Sequence, residues 1–160
     1  MLLSLLLTGC ADPVIVDDSA KGDFIIGGVI STQVVDPYSY ASRCPATGVV
    51  EIVLRTAANE EMIVSMPPLE PDALIAQTWF ADTGFDFSYV ADPINPGDWL
   101  EAAEGKLVLD LFETPGGRVV GLVDIWGSLT SVEGALIDPD YHIRGSFDVP
   151  RTDLCEWQIW

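Results

Sequence analysis

From about residue 24 onward, apolar and polar side chains alternate with a period of two along most of the chain, which is the pattern of strands that bury one face. In "GVVEIVLRT", Val50, Ile52 and Leu54 share a face, with Glu51 and Arg55 opposite. "EMIVSM" follows after the turn-like Ala58-Asn59-Glu60. "GFDFSYV" sets Phe85, Phe87 and Tyr89 against Asp86 and Ser88. "GKLVLDLFE" sets Leu107, Leu109 and Leu111 against Lys106, Val108, Asp110 and Phe112. In "RVVGLVDIW", Val120, Leu122 and Trp126 lie on the side of Asp124, so the two faces are less clean. "YHIRGSFDV" sets Tyr141, Ile143, Phe147 and Val149 against His142, Arg144, Ser146 and Asp148, and "CEWQIW" aligns Cys155, Trp157 and Ile159.

Thr114-Pro115-Gly116-Gly117 reads as a hairpin connection between two of these strands, because glycine supplies the positive φ that the reversal needs. One segment invites a helix: "EPDALIAQTWF", where Pro71 follows an acid at a first-turn position. Trp99 to Glu104 fits one further helical turn. Neither is long enough for half of an α/β unit. The expectation is an all-β domain of seven to nine strands, an antiparallel sandwich or a small barrel, with at most one or two short helices.

Charge changes the picture of the surface. The 160 residues carry 25 acids against 7 Lys and Arg, a formal charge of −18. Such a surface repels nucleic acid and anionic headgroups and attracts basic partners or divalent cations. Acidity of this degree often accompanies disorder, but five Trp, six Phe and 49% apolar residues provide material for a core.

The leader stands apart. Leu2 to Leu7 form an apolar run broken by Ser4, too short for a bilayer span, which needs about 20 residues. It lies near the lower limit of a secretory h-region, roughly 7–15 residues. Leu7-Thr8-Gly9-Cys10 resembles the lipobox of a bacterial lipoprotein signal peptide. The resemblance implies cleavage before Cys10, a diacylglyceryl thioether on its sulfur and acylation of the new amino terminus. Two or three palmitate-type chains, at about 0.8 kcal/mol per buried CH₂, make a stable membrane anchor. Ala11, in place of Asp, favours the outer membrane in such proteins. The run is short and no base precedes it, which fits a start inside a longer signal peptide. The expected organisation is a signal peptide over 1–9, a lipidated cysteine and acidic tether over 10–23, and one β domain over 24–160.

With Cys10 lipidated, Cys44 and Cys155 remain. In an oxidising compartment such a pair reads as a disulfide, the alternative being two buried thiols. A loop of that length is worth roughly 4–5 kcal/mol in the chain-entropy picture.

Chemistry is thinly signalled. His142 is the single histidine, so a His-based hydrolase would have to use it; a carboxylate pair is the other catalytic option. No cofactor motif is present: there is neither a Gly-rich phosphate loop nor zinc-type Cys/His spacing. Calcium has candidate ligands on acid-bearing loops, at Asp82 and Asp86, at Asp92 and Asp98, and at Asp138 and Asp140, though turn capping accounts for each. Trp79, Trp126 and Trp157 sit in apolar company and read as core. Trp99, beside Asn95 and Asp98, reads as exposed and is the candidate platform for a glycan. The favoured reading is a membrane-anchored, exported, non-catalytic binding or structural module.

Overall fold

The computed structural model describes residues 20–28, 30–34, 38–68, 77–80, 84–91 and 98–152, with backbone alone at 30–31, 77–80 and 101–103. Every regular element among them is a strand: β1 (Lys21–Ile26), β2 (Ile30–Gln33), β3 (Tyr40–Arg43), β4 (Val50–Arg55), β5 (Glu61–Met66), β6 (Gln77–Phe80), β7 (Asp86–Val90), β8 (Trp99–Phe112), β9 (Arg118–Thr130) and β10 (Leu136–Thr152). Pairing runs from β10 through β3, β4, β5, β7, β8 and β9 back to β10, so seven strands close into a ring. The barrel, rather than the open sandwich, describes this connectivity. Closure leaves fewer unpaired strand edges than an open sheet would.

Three long strands make closure achievable. On one edge β8 serves β7 near Trp99 and β6 near Leu107. On one edge β10 serves β1 over Ile143–Asp148 and then β3 at Arg151 and Thr152. The β3–β10 contact, Arg151 with Ala41 and Thr152 with Ser42, is parallel, whereas the other paired strands are antiparallel. β9 lies between β8 and β10 along its whole length.

The inward residues fill the ring. Phe24, Ile52, Leu54, Met62, Leu107, Leu109, Ile125, Ile143 and Phe147 are all buried. Each contributes about 1.5–3 kcal/mol of burial free energy, and a barrel of this strand number is just wide enough to be packed solid. Gly145 on β10 makes one such contact feasible: a Cβ there would stand 2.4 Å from the Asp23 carbonyl oxygen and 2.6 Å from Phe24 Cγ. The Phe24 ring therefore lies directly over the glycine backbone.

The alternation places Val50, Ile52 and Leu54, and Phe85, Phe87 and Tyr89, on buried faces as their period requires. Five expectations are corrected. Gln77–Phe80, the end of the expected helix, is strand β6, while 69–76 lies outside the described residues. Trp99 to Glu104 is strand, the start of β8, because pairing with β7 and β9 satisfies its backbone. On β9 the buried side is Val119, Val123, Ile125 and Leu129, not that of Val120, Leu122 and Trp126. On β8 a register shift between Leu109 and Leu111 turns Phe112 inward and leaves Leu111 half-buried. β1 also starts at Lys21, inside the stretch read as tether.

The turn at Glu113–Gly117 is the expected hairpin. Glu113 N–H donates to the Arg118 carbonyl, Gly117 N–H to that of Thr114, and Gly116 takes φ 87°. Arg151, 2% exposed, pins it from below: its guanidinium lies 4.4 Å from the Phe112 ring centroid and donates to the Glu113 carbonyl.

Candidate functional site

The outer wall of β8, β9 and β10 gathers the accessible chemistry. Register places Glu104, Trp126 and His142 in one row across the three strands, and Lys106, Asp124 and Arg144 in the next. The His142 imidazole lies flat on the Trp126 indole, with centroids 3.7 Å apart and planes 6° from parallel. His142 Nε2 stands 2.7 Å from Asp124 Oδ1, and Asp124 Oδ2 lies 3.9 Å from Lys106 Nζ. These contacts reduce the exposure of the His142 side chain to 15%, although it points outward. Trp126, expected in the core, is 41% exposed. Its position on the outward face follows from the parity of β9: the residues on either side, Ile125 and Gly127, face inward.

Histidine, aspartate and an aromatic ring in contact orient an imidazole. Catalysis by nucleophilic attack needs a third member, a hydroxyl or thiol on the other ring nitrogen. The hydrogen-bond partner of the imidazole among the described residues is Asp124.

Toward the β9–β10 turn the same wall becomes apolar. Trp99, Thr130 and Leu136 are register neighbours on β8, β9 and β10. Val132 sits in the turn closed by Ser131 N–H to the Ala135 carbonyl, and Ile137 is the extra residue of a bulge between Leu136 and Asp138. Among the described residues six large hydrophobic side chains are exposed, and five belong to this wall: Trp99 41%, Trp126 41%, Val132 65%, Leu136 62% and Ile137 49%. The sixth is Tyr38, whose ring lies 5.4 Å from the Arg55 guanidinium.

A second polar group lies inside one end of the barrel. Glu60 closes the β4–β5 turn, in which Asn59 takes φ 63°, a conformation that asparagine tolerates. Glu60 is 7% exposed, and its carboxylate accepts hydrogen bonds from Thr56 Oγ1 at 2.8 Å and from the Tyr89 hydroxyl at 3.0 Å. Burial pushes the Tyr89 hydroxyl far above its ordinary range, with Glu60 and then Tyr141 adding to the effect. Tyr141 is raised as well, chiefly by burial; Tyr89 opposes the shift, and Glu60, Asp138 and Asp98 reinforce it. The sequence pattern marked Tyr89 and Tyr141 only as apolar-face residues, since burial of Glu60 depends on where the turn folds.

The expected site residues are scattered. Cys10, Asp82, Asp92 and Cys155 lie outside the described residues. Asp86 is exposed on β7 and Asp98 is half-buried before β8. Asp138 accepts the Asp140 backbone N–H at 2.9 Å, the capping role open to any turn aspartate. No three potential metal ligands converge among the described residues. Trp99 is exposed as expected, although it stands on β8, where it pairs with outward-facing Thr130, and not in a loop. A recess of about 560 Å³ is lined by Leu111, Phe112 and the 113–117 turn of a single hairpin.

No protein-family model, no curated protein and no solved structure matches the chain.

Proposed function

We propose that the chain is an exported lipoprotein, anchored in the bacterial outer membrane through Cys10, whose β-barrel acts as a non-catalytic binding module. The observation that carries the binding role is the placement, among the described residues, of five of six exposed large hydrophobic side chains on the β8–β10 wall and its turn. Monomeric surfaces seldom gather apolar side chains in this way without an interaction to serve. The core is packed with side chains, which leaves the outer wall as the surface for recognition. Anchoring rests on Leu7-Thr8-Gly9-Cys10.

A Cys44–Cys155 crosslink belongs to the same reading. Cys44 directly follows β3, the strand that pairs with the end of β10. The parallel register pairs Thr152 with Ser42, so Cys155 follows three residues after one strand end and Cys44 two after the other. Neighbouring strands lie about 4.8 Å apart, within the Cα separation a disulfide spans, roughly 4.4–6.8 Å.

Metabolic labelling with a fatty-acid analogue tests the anchor: the parent chain takes label and fractionates with membranes, and Cys10→Ala takes none and is released. Labelling that persists in Cys10→Ala refutes the lipoprotein reading. A hydrolase built on His142 is the second reading, favoured by the 2.7 Å Asp124 contact; hydrolytic activity lost in His142→Ala and Asp124→Asn alike would replace the binding role with it.

A further inference from the structure

We infer that the turn-proximal end of the β8–β10 wall docks a partner protein through a basic segment that also carries aliphatic or aromatic side chains. The inference rests on the binding-module reading and adds the chemistry of the partner.

The apolar half of the argument is the row Trp99–Thr130–Leu136, with Val132 and Ile137 beside it and Trp126 farther down the same face of β9. Four residues of strand separate Thr130 from Trp126, about 13 Å, so the patch has the reach of a short peptide segment. Trp126 is held in a fixed orientation by the His142 stack, and His142 by Asp124. A rigid aromatic group loses little freedom on binding, which is why such residues serve as anchors.

The charge around the patch selects the partner. Glu104 stands beside Trp126 by register, Glu133 is in the turn with Val132, and Asp140 is exposed on β10 beyond Ile137. Ion pairs among the described residues involve none of these three carboxylates. Basic side chains on the wall begin only one row below Trp126, at Lys106 and Arg144. A rim of one sign around an apolar centre favours a partner of opposite charge and disfavours anionic lipid. Strand addition is blocked on the β10 edge, because Pro139 lacks an N–H and the bulges between Leu136 and Tyr141 break the ladder. Docking is therefore through side chains.

The test is an anisotropy titration of the full chain with a labelled amphipathic peptide of Lys, Leu and Trp, beside the same peptide with Glu for Lys. The Lys peptide binds, and the Glu peptide binds at least about 10-fold more weakly. Leu136→Asp weakens the Lys peptide about 10-fold although it adds a negative charge, which separates docking on the patch from general attraction to an acidic protein. Glu104→Gln with Glu133→Gln weakens it severalfold, and added salt reduces binding by the parent chain more than by this variant. Circular dichroism melts establish that the variants remain folded.

Absence of Lys-peptide binding, or binding indifferent to Leu136→Asp, overturns the proposal. Patch-dependent binding of the Glu peptide overturns the basic partner but leaves the binding module standing. Two other occupants have their own signatures: Leu136-dependent binding of Cys10→Ala protein to phosphatidylcholine vesicles, or a dimer in sedimentation that Leu136→Asp dissociates. Either result overturns the proposal in favour of a membrane or of a second copy. A parent chain that takes no lipid label, or labelling that persists in Cys10→Ala, would refute anchoring without touching these measurements.

Discussion

His142 and Trp126 occupy the same register position on neighbouring strands, and their rings stack at 3.7 Å on the outside of the barrel. A polar-face histidine and an apparent core tryptophan thus become one unit. The pair ties β9 to β10, and it presents an oriented indole to the solvent.

That unit has a measurable coupling. Cross-strand aromatic pairs contribute roughly 0.2–1 kcal/mol, with stacking adding to the upper end. His142→Ala and Trp126→Ala are each expected to cost about 1 kcal/mol in urea denaturation. A double-mutant cycle should return a coupling of about 0.5–1 kcal/mol; additive losses would show the stack to be energetically idle.

Tyr89 is expected to control alkaline stability. Its folded pKa is raised, first by burial and then by Glu60 and Tyr141, whereas in the unfolded chain the phenol ionises near about 10. Above that pH the unfolded chain loses the proton and the folded chain keeps it, so stability falls as pH rises. The contribution is complete below the unfolded pKa and disappears on climbing toward the folded one. Tyr89→Phe should flatten this limb between about pH 9 and 11 while costing about 1–3 kcal/mol at neutrality, because Glu60 Oε1 loses its donor. Equal alkaline slopes in parent and variant would contradict the assignment.

Gly145 offers a packing test. Any Cβ there must displace the Asp23 carbonyl or the Phe24 ring. Gly145→Val should destabilise by about 3 kcal/mol or more, above the usual overpacking range of about 1–3, because backbone must move. A melting temperature within a degree or two of the parent would mean that β1 shifts freely against β10.

The crosslink predicts a redox effect. Cys44→Ala or Cys155→Ala should lower stability by roughly 4–5 kcal/mol if the entropic account holds. Non-reducing peptide maps should recover Cys44 and Cys155 in one linked peptide. Two alkylatable thiols at these positions in native protein would refute the pairing.

Formal charge of −18 predicts that added salt stabilises the fold, since screening weakens self-repulsion. Melting temperature should rise between about 20 and 200 mM sodium chloride, the Debye length shrinking from beyond 20 Å to below 8 Å. A flat profile would mean that bound counterions already neutralise the surface.

Sequence alone determined the β class and much of the core. Val50, Ile52 and Leu54, or Phe85, Phe87 and Tyr89, face inward because a strand turns each successive side chain to the opposite side. Those segments have one apolar side, so alternation left a single solution. It also located the β8–β9 hairpin, the acidic surface and the exposure of Trp99. Tertiary structure decided the rest. β9 carries apolar residues on both faces, and only its place between β8 and β10 made Val119, Val123 and Ile125 the buried set and Trp126 the exposed one. One extra residue near Asp110 reversed Leu111 and Phe112, since a single-residue shift exchanges the faces of a strand. Trp99 to Glu104 became strand because neighbours on both sides took up its backbone hydrogen bonds, and pairing of that kind outweighs local propensity. The wall itself, with His142 against Trp126 and Trp99 in line with Leu136, joins residues 16 to 37 positions apart in sequence. Register brought them together, and register belongs to the closed sheet as a whole.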